Sequence, residues 1–301
     1  MSKNETPVDI YIIGTGMVGY SQMTIEAQST LEAAERIYLV HYQDTVYEYM
    51  KEHAETIPLT AEYTEGEPRH HTYDRMAQEV LDGAEELEGP VVFALYGHPM
   101  VFVSPTRWIL DRAPDRGLEV EVLPGISSMD CLYTDIGLDP AAHGLQMVGA
   151  TDLLLRDYEI QPNMPAMIWQ IGSVETVLYN TADNDPKRFT RIREYLQQYY
   201  PDDHTVYLLQ TATYPITESK QIEFTLDEFE EMNDRINDIQ TLYVPPAEKP
   251  EVVNEELYEK LDSADHLDTI TASDGPARDL ESSNNERIVD ESPPMDQLSE
   301  G

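Results

Sequence analysis

The chain has 301 residues, with 58 Asp and Glu against 19 Lys and Arg, so its formal net charge is −39. A surface this negative repels phosphate backbones and anionic lipid headgroups, which argues against nucleic acid and membrane partners. A single cysteine, Cys131, rules out an internal disulfide and a cysteine-based zinc site, while hydrophobic residues, at 41%, suffice for a buried core.

Taken in chain order, the opening MSKNETPVDI has no apolar stretch of a secretory signal, and no later apolar run approaches the ~20 residues of a membrane span. A cytoplasmic protein is expected. Val8–Ile13 reads as a strand, Gln22–Arg36 as a helix and Ile37–Val40 as a second strand. Tyr73–Leu87 is an amphipathic helix with Met76, Val80 and Ala84 on one face. Val91–Tyr96 is an uncharged strand, followed by a helix from Pro105–Arg112, a strand at Val120–Leu123 and a helix at Ser128–Ile136. This alternation predicts an α/β domain with a mainly parallel sheet over residues 1–140. A break at 138–146 leads to a less regular second α/β domain over 141–246. Its strands are expected at Met167–Ile171, Val206–Gln210 and Thr241–Val244, and its helices at Phe189–Tyr199 and Leu226–Ile236. Residues 247–301 hold 16 Asp and Glu against 4 Lys and Arg, with no Phe or Trp. Such a tail buries too little apolar surface to offset its ordering entropy and is expected to be mostly disordered, with weak helix only at Glu255 to Leu261. The body is acidic too, and the chain has only six lysines, which predicts a halophilic source where salt screens like charges.

Four segments carry residue types suited to chemistry. Gly14-Thr-Gly16-Met-Val-Gly19 follows the first strand and matches the dinucleotide pattern G-x-G-x-x-G. That pattern also needs a carboxylate at the end of the second strand, and Tyr38-Leu39-Val40-His41-Tyr42 has none. A glycine turn beside some other site is the better expectation. The second segment runs from Tyr63 through Arg69 to Tyr73 and joins a planar cationic fork to two phenols. Its adjacent His70 and His71 diverge and lack a third ligand, so no metal is expected. In the third, the strand ends in Tyr96-Gly97-His98-Pro99, at the carboxyl edge where open α/β sheets place ligands. The fourth, Leu123-Pro124-Gly125-Ile126-Ser127-Ser128, turns from strand into a serine-capped helix.

Together these segments resemble the tetrapyrrole (corrin/porphyrin) methylase superfamily. The Pro124-Gly125-Ile126-Ser127 turn matches well. The usual Gly-Pro-Gly is here Gly16-Met17-Val18-Gly19, and Gly-Asp-Pro is Gly97-His98-Pro99. Tyr96-Gly-His-Pro with Phe102 and Pro105 resembles the borosin peptide backbone α-N-methyltransferases. So do Tyr63 with Arg69 and Tyr73, Asp130-Cys131-Leu132, Trp169-Gln170-Ile-Gly172, and Thr241-Leu-Tyr243-Val-Pro-Pro246. The resemblance covers residues 8–246. It implies two α/β domains with S-adenosyl-L-methionine in the cleft between them, a peptide substrate and a homodimer. It assigns substrate activation to Tyr63, Arg69, Tyr73 and Tyr96. Cofactor contacts fall to Tyr96, His98, Val101, Phe102, Ser127, Ser128, Trp169, Gln170, Ala212 and Thr241. The polar tail has no apolar core-peptide segment, so a stand-alone enzyme acting on a separate peptide or small precursor protein is expected. Tyr42, Tyr47, Tyr49 and Met50 are candidates for a dimer patch.

The chemistry accounts for the residue types. An amide nitrogen is a poor nucleophile because its lone pair is delocalised into the planar peptide bond. Arg69 and a phenol could stabilise the charge that develops on the carbonyl oxygen, and a second phenol, Tyr73, could take the proton. The alternatives are a C-methyltransferase of corrinoid or porphyrin synthesis, a cofactor-binding regulator without turnover, and a nicotinamide-dependent dehydrogenase.

Overall fold

The structure, a computed structural model, describes residues 7–271. Its contacts divide the chain after Pro250, one unit running to Pro250 and a second beginning at Glu251. Both sheets of the protein lie in the first unit.

The first sheet contains β1 (Ile10–Gly14), β2 (Arg36–Val40), β3 (Glu55–Pro58), β4 (Val91–Leu95) and β5 (Val120–Leu123), in the order β3-β2-β4-β1-β5. All its pairings are parallel. Parallel strands need crossovers, made here in turn by α1 (Ile25–Leu31), α2 (Asp44–Lys51), α3 (Arg69–Glu86) and α4 (Ser104–Arg112). Helices cover both faces, so central β4 is apolar and buried at every position. Its side chains alternate between two cores. Val91, Phe93 and Leu95 pack with Met76 and Val80 of α3, whereas Val92 and Ala94 pack with Leu31 of α1 and Met50 of α2.

After β5 come α5 (Ser128–Ile136) and the short α6 (Pro140–His143). The second sheet then assembles β6 (Gln146–Gly149), β7 (Ala166–Trp169), β8 (Thr205–Gln210), β9 (Lys220–Thr225) and β10 (Thr241–Val244) in the order β6-β7-β10-β8-β9. Only β6 and β7 pair in parallel; the other pairings are antiparallel. Helices α7 (Ala150–Arg156) and α8 (Thr190–Leu196) flank it. One face, with Ile168, Leu208 and Leu242, packs on Phe189, Ile192 and Phe229. The other presents Met167, Trp169 and Leu209 to Leu132 of α5.

Several expectations need correction. The second half is mostly antiparallel, and the stretch read as a helix over Leu226–Ile236 is a 3-10 helix at Leu226–Met232. Leu226, Phe229 and Met232 are all buried, and a three-residue spacing lines up one face at three residues per turn. The helix read from Gln22 to Arg36 is shorter, Ile25–Leu31, preceded by a 3-10 turn at Gly19–Gln22. α3 begins at Arg69, four residues before its expected start. Of the candidate dimer patch, Met50 is fully buried in the core and Tyr42 lines a cavity within the chain. The second unit contributes α9 (Glu255–Tyr258) and α10 (Ala264–Ile270), neither with a buried residue. The rest of the tail lies outside the described residues. No helix of the described residues is long and apolar enough to cross a membrane.

Candidate active site

Three glycine turns meet at the carboxyl edge of the first sheet. A Cβ on Gly14 would stand 2.3 Å from the Gly97 carbonyl oxygen and 2.8 Å from the Gly125 Cα, so nothing larger fits there. Three of the four segments singled out in the sequence therefore converge on one point. The amides of Met17 and Val18 donate to the Gln22 Oε1 at 2.7 and 2.9 Å. That engagement takes the Met17 and Val18 N–H groups of the glycine loop away from any pyrophosphate.

Beside these turns lies a cavity of about 400 Å³, within the range of small-molecule sites. One wall comes from the first sheet: His41, Tyr42 and Gln43 after β2, Tyr63 and Tyr73 around the start of α3, and the Tyr96–Phe102 loop after β4. The other comes from the second sheet and includes Trp169, Gln170, Thr211, Asp238 and Thr241. Ser128 and Leu132 of α5 complete the lining. Tyr42, Tyr96 and Phe102 keep 66%, 42% and 51% of their surface accessible, and all three line this cavity.

Four phenols crowd the first wall. The Tyr63 and Tyr73 rings meet edge-on at 6.2 Å, and those of Tyr42 and Tyr96 are 5.8 Å apart. Burial raises the Tyr63 hydroxyl well above the usual phenol range, reinforced by the charges that Tyr73, Tyr42 and Tyr96 would carry if ionised. Burial likewise raises Tyr96, with Tyr42 and Tyr73 adding to it. Although much of Tyr42 stays accessible, desolvation by the groups packed around the cavity raises its hydroxyl, partly offset by a hydrogen bond with Tyr63 and by the positive charge of Arg69. At neutral pH these three are O–H donors.

His41 is 9% exposed, and burial lowers its pKa to about 4. Its Nδ1 accepts from the Gln43 N–H at 3.1 Å, which leaves the proton on Nε2. That buried nitrogen has no hydrogen-bond partner among the described residues. Gln43 reaches across to the second half, its Nε2 donating to the Thr213 carbonyl.

The structure brings Tyr63, Tyr73 and Tyr96 together with Val101, Phe102, Ser128, Trp169, Gln170 and Thr241 on one lining. Arg69, His98, Ser127 and Ala212 stand off it. Arg69 opens α3, 17% of its side chain exposed, with Nη2 3.3 Å from Asp238 Oδ2, and it is Asp238 that lines the cavity. Ser127 is 3% exposed and caps α5 in a reciprocal box with Asp130, so its hydroxyl already serves the helix. The His98 Nδ1 accepts from the Met100 N–H, and the Ala212 N–H donates to Ser219. Sequence reasoning missed His41, Gln43 and Asp238 and placed Tyr42 elsewhere. The available signal was His41-Tyr42-Gln43 directly after a buried strand, the same edge logic that singled out Tyr96.

Two bulky lining residues sit in left-handed backbone: Phe102 at φ 55° and Gln170 at φ 56°. Such conformations cost on the order of 1–3 kcal/mol and gather at functional sites. The Phe102 ring lies 5.8 Å from that of Trp169, joining the two walls. No group of three or more potential metal ligands occurs among the described residues.

Residues 9–230 match the family described as Tetrapyrrole (Corrin/Porphyrin) Methylases. The methyltransferase and cyclic peptide dendrothelin A precursor of Dendrothele bispora is 31% identical over 83% of this chain and 61% of its own length. The methyltransferase and type I borosin cyclic peptide precursor of Coprinopsis marcescibilis is 32% identical over 86% of this chain and 68% of its own. The chain thus spans only part of the length of these precursors. Among solved structures, the uroporphyrin-III C-methyltransferase of Thermus thermophilus, crystallised with S-adenosylhomocysteine, superposes with a TM-score of 0.55. It shares 17% identity and covers 79% of this chain and 92% of its own, a likeness of fold.

Proposed function

We propose, since the chain belongs to the tetrapyrrole (corrin/porphyrin) methylase family and its borosin-type branch, that it is an S-adenosyl-L-methionine-dependent methyltransferase acting on backbone amide nitrogens of a peptide. The observation that carries the acceptor is the lining itself. It holds no Lys or Arg among the described residues, Arg69 standing off it against Asp238, and one carboxylate, Asp238, beside five phenols. An uncharged, apolar peptide segment suits such a wall. A tetrapyrrole bearing many carboxylates would bring them unpaired into a cavity of a chain of net charge −39, where charge without a partner is costly.

The cavity also suits the methyl donor. Phe102, Trp169 and Tyr96 offer aromatic faces for a sulfonium cation, and Ser128, Gln170 and Thr241 offer hydroxyl and amide groups. When bound, the donor supplies an electrophilic methyl group. The residues of the chain do the rest. Tyr63 and Tyr96, held neutral, donate hydrogen bonds to the acceptor carbonyl and orient it. Arg69 stabilises negative charge developing on that oxygen. Tyr73, acting as its phenolate, takes the amide proton and becomes the neutral phenol as the nitrogen takes the methyl group, and alignment of nitrogen and methyl is a matter of positioning. The inter-domain placement of the donor is supported by the lining drawn from both sheets. We further propose a homodimer, supported by the family resemblance, working in a salt-rich cytoplasm, supported by the charge and the scarcity of lysine.

The test is incubation of the full chain at high salt with the methyl donor and either a panel of apolar peptides or a porphyrinogen. Mass spectrometry should place added methyl groups on peptide backbone nitrogens. Methylation of the porphyrinogen with none on any peptide would overturn the reading. Light scattering and a thermal melt in high and low salt check the dimer and the salt requirement in the same preparation.

A further inference from the structure

Arg69 is the cation assigned to the acceptor carbonyl, yet nothing in its own helix holds its guanidinium. The groups that hold it come from the second half of the chain. Asp238 Oδ2 lies 3.3 Å from Arg69 Nη2, and Ser173 Oγ lies 3.5 Å from the same nitrogen. Ser173 in turn donates to Asp238 Oδ1 at 3.0 Å. The three side chains close a triangle that uses one corner of the guanidinium. Nε and Nη1 have no partner among the described residues, which leaves their N–H groups to donate singly to an acceptor oxygen.

The triangle is set on a rigid base. The Gln240 side chain accepts from the Asn237 N–H at 3.0 Å, and the Asn237 side chain accepts from the Ile239 N–H at 3.1 Å, which locks the turn that carries Asp238. Beneath it lies Gly172. A Cβ there would stand 2.3 Å from the Asn237 carbonyl carbon and 2.6 Å from the Asp238 nitrogen, so the peptide before Asp238 rests on the bare glycine backbone. The Gly172 carbonyl is itself held by Arg188 at 3.0 Å. The loop entering α3 is tied to the same half: Arg69 N–H donates to the Val177 carbonyl at 2.9 Å, and Gly66 and Tyr179 are joined by a 2.8 Å bond. As a source of stability the ion pair counts for little, because Asp238 is half exposed and water screens the attraction. Its geometry is more specific than that role requires.

We infer that Asp238 is a positioning residue, seated on Gly172 and oriented by Ser173, that fixes the Arg69 guanidinium by its Nη2 corner and so leaves Nε–H and Nη1–H to donate to the acceptor carbonyl. This rests on the peptide-methylation reading above. Asp238 touches Arg69 rather than the reacting atoms, and its effect passes through the guanidinium. A misplacement of about 1 Å in such a group can cost on the order of 100-fold in rate.

The experiment uses the full chain at high salt, with a peptide that the wild-type protein has been shown to methylate. Asp238→Asn keeps the shape and removes the charge. It should lower kcat by roughly 100-fold with KM within a few-fold, and Asp238→Glu should recover part of the loss. Gly172→Ala should move kcat the same way, because its methyl group must displace the 237–238 peptide. In the Arg69→Lys background, Asp238→Asn should add nothing further, since the group it positions has gone. A second readout needs no acceptor. Nitrogen NMR of the Arg69 side chain, assigned by its loss in Arg69→Lys, should show restricted guanidinium rotation in the wild type and free rotation in Asp238→Asn. Unchanged kcat in Asp238→Asn, full additivity with Arg69→Lys, or identical Arg69 spectra in the two proteins would each overturn the inference. Failure of the wild type to methylate any peptide would count against the function reading, and the spectra would still decide whether Asp238 holds Arg69.

Discussion

The two walls of the cavity are built by different means and do different work. The first-sheet wall, from an all-parallel sheet, carries four phenols and the neutral imidazole, with Arg69 standing just off the lining against Asp238. The second-sheet wall, from a mostly antiparallel sheet, carries one carboxylate with amides and hydroxyls, and ties that reach across: Asp238 to Arg69, Thr213 to Gln43, Tyr179 to Gly66. Most of the phenols thus stand on one side, and the groups that tie the two walls together stand on the other. Substitutions on the first wall should change chemistry, and substitutions on the second should change geometry.

The largest expected effect tests the first wall directly. Arg69→Lys and Tyr73→Phe should each lower methyl transfer by about 100–1,000-fold, with affinity for S-adenosylhomocysteine by calorimetry within a few-fold of wild type. Lysine keeps the charge and loses the planar fork. Near-normal turnover in both would dissolve the contrast between the walls.

Next is the buried imidazole. The pKa of His41 in the folded chain is about 4, below the ordinary value of 6.5, so the unfolded chain binds a proton over that interval that the folded chain does not. Its contribution is present above pH 6.5 and is lost as pH falls toward 4, at most about 3 kcal/mol. His41→Gln should flatten that part of the stability curve in denaturant titrations at successive pH values. An unchanged acid slope would place the pH sensitivity elsewhere.

A smaller effect is expected where the three glycine turns meet. A methyl group at Gly125 would stand 2.7 Å from the Gly97 carbonyl oxygen, so Gly125→Ala should destabilise by about 1–3 kcal/mol, read as a lower Tm. The smallest effect is at the far end of the chain. Removing residues 262–301 should leave Tm and cofactor affinity unchanged, since residues 262–271 include no buried side chain.

Much of the first sheet was legible because short apolar runs alternate there with amphipathic helices, and α5 was readable to the residue from its serine cap and Gly137 stop. What escaped notice has physical causes. Strands β3 and β9 lie at sheet edges and bury one residue each, Thr56 and Phe224, so they carry no apolar run. Helix α2 buries only Val46 and Met50 and hides its apolar face among tyrosines. Tyr63, Tyr73 and Tyr96, expected together by resemblance, share the cavity lining, while Arg69 stands off it. His41 and Tyr42 reach Tyr96 because β2 pairs with β4 rather than with β1, a crossover that spacing does not reveal. Asp238 meets Arg69 across 169 positions, on a turn with no motif of its own.

The left-handed backbone at Phe102 and Gln170 bears on how this sequence can drift. Selection for folding alone favours glycine or asparagine at both positions, because either adopts that conformation at lower cost. The aromatic ring and the amide persist only under selection for what occupies the cavity. Libraries randomised at the two positions and sorted once for folded protein and once for methyl transfer should therefore diverge, and the size of that divergence measures how much of the strain belongs to the activity.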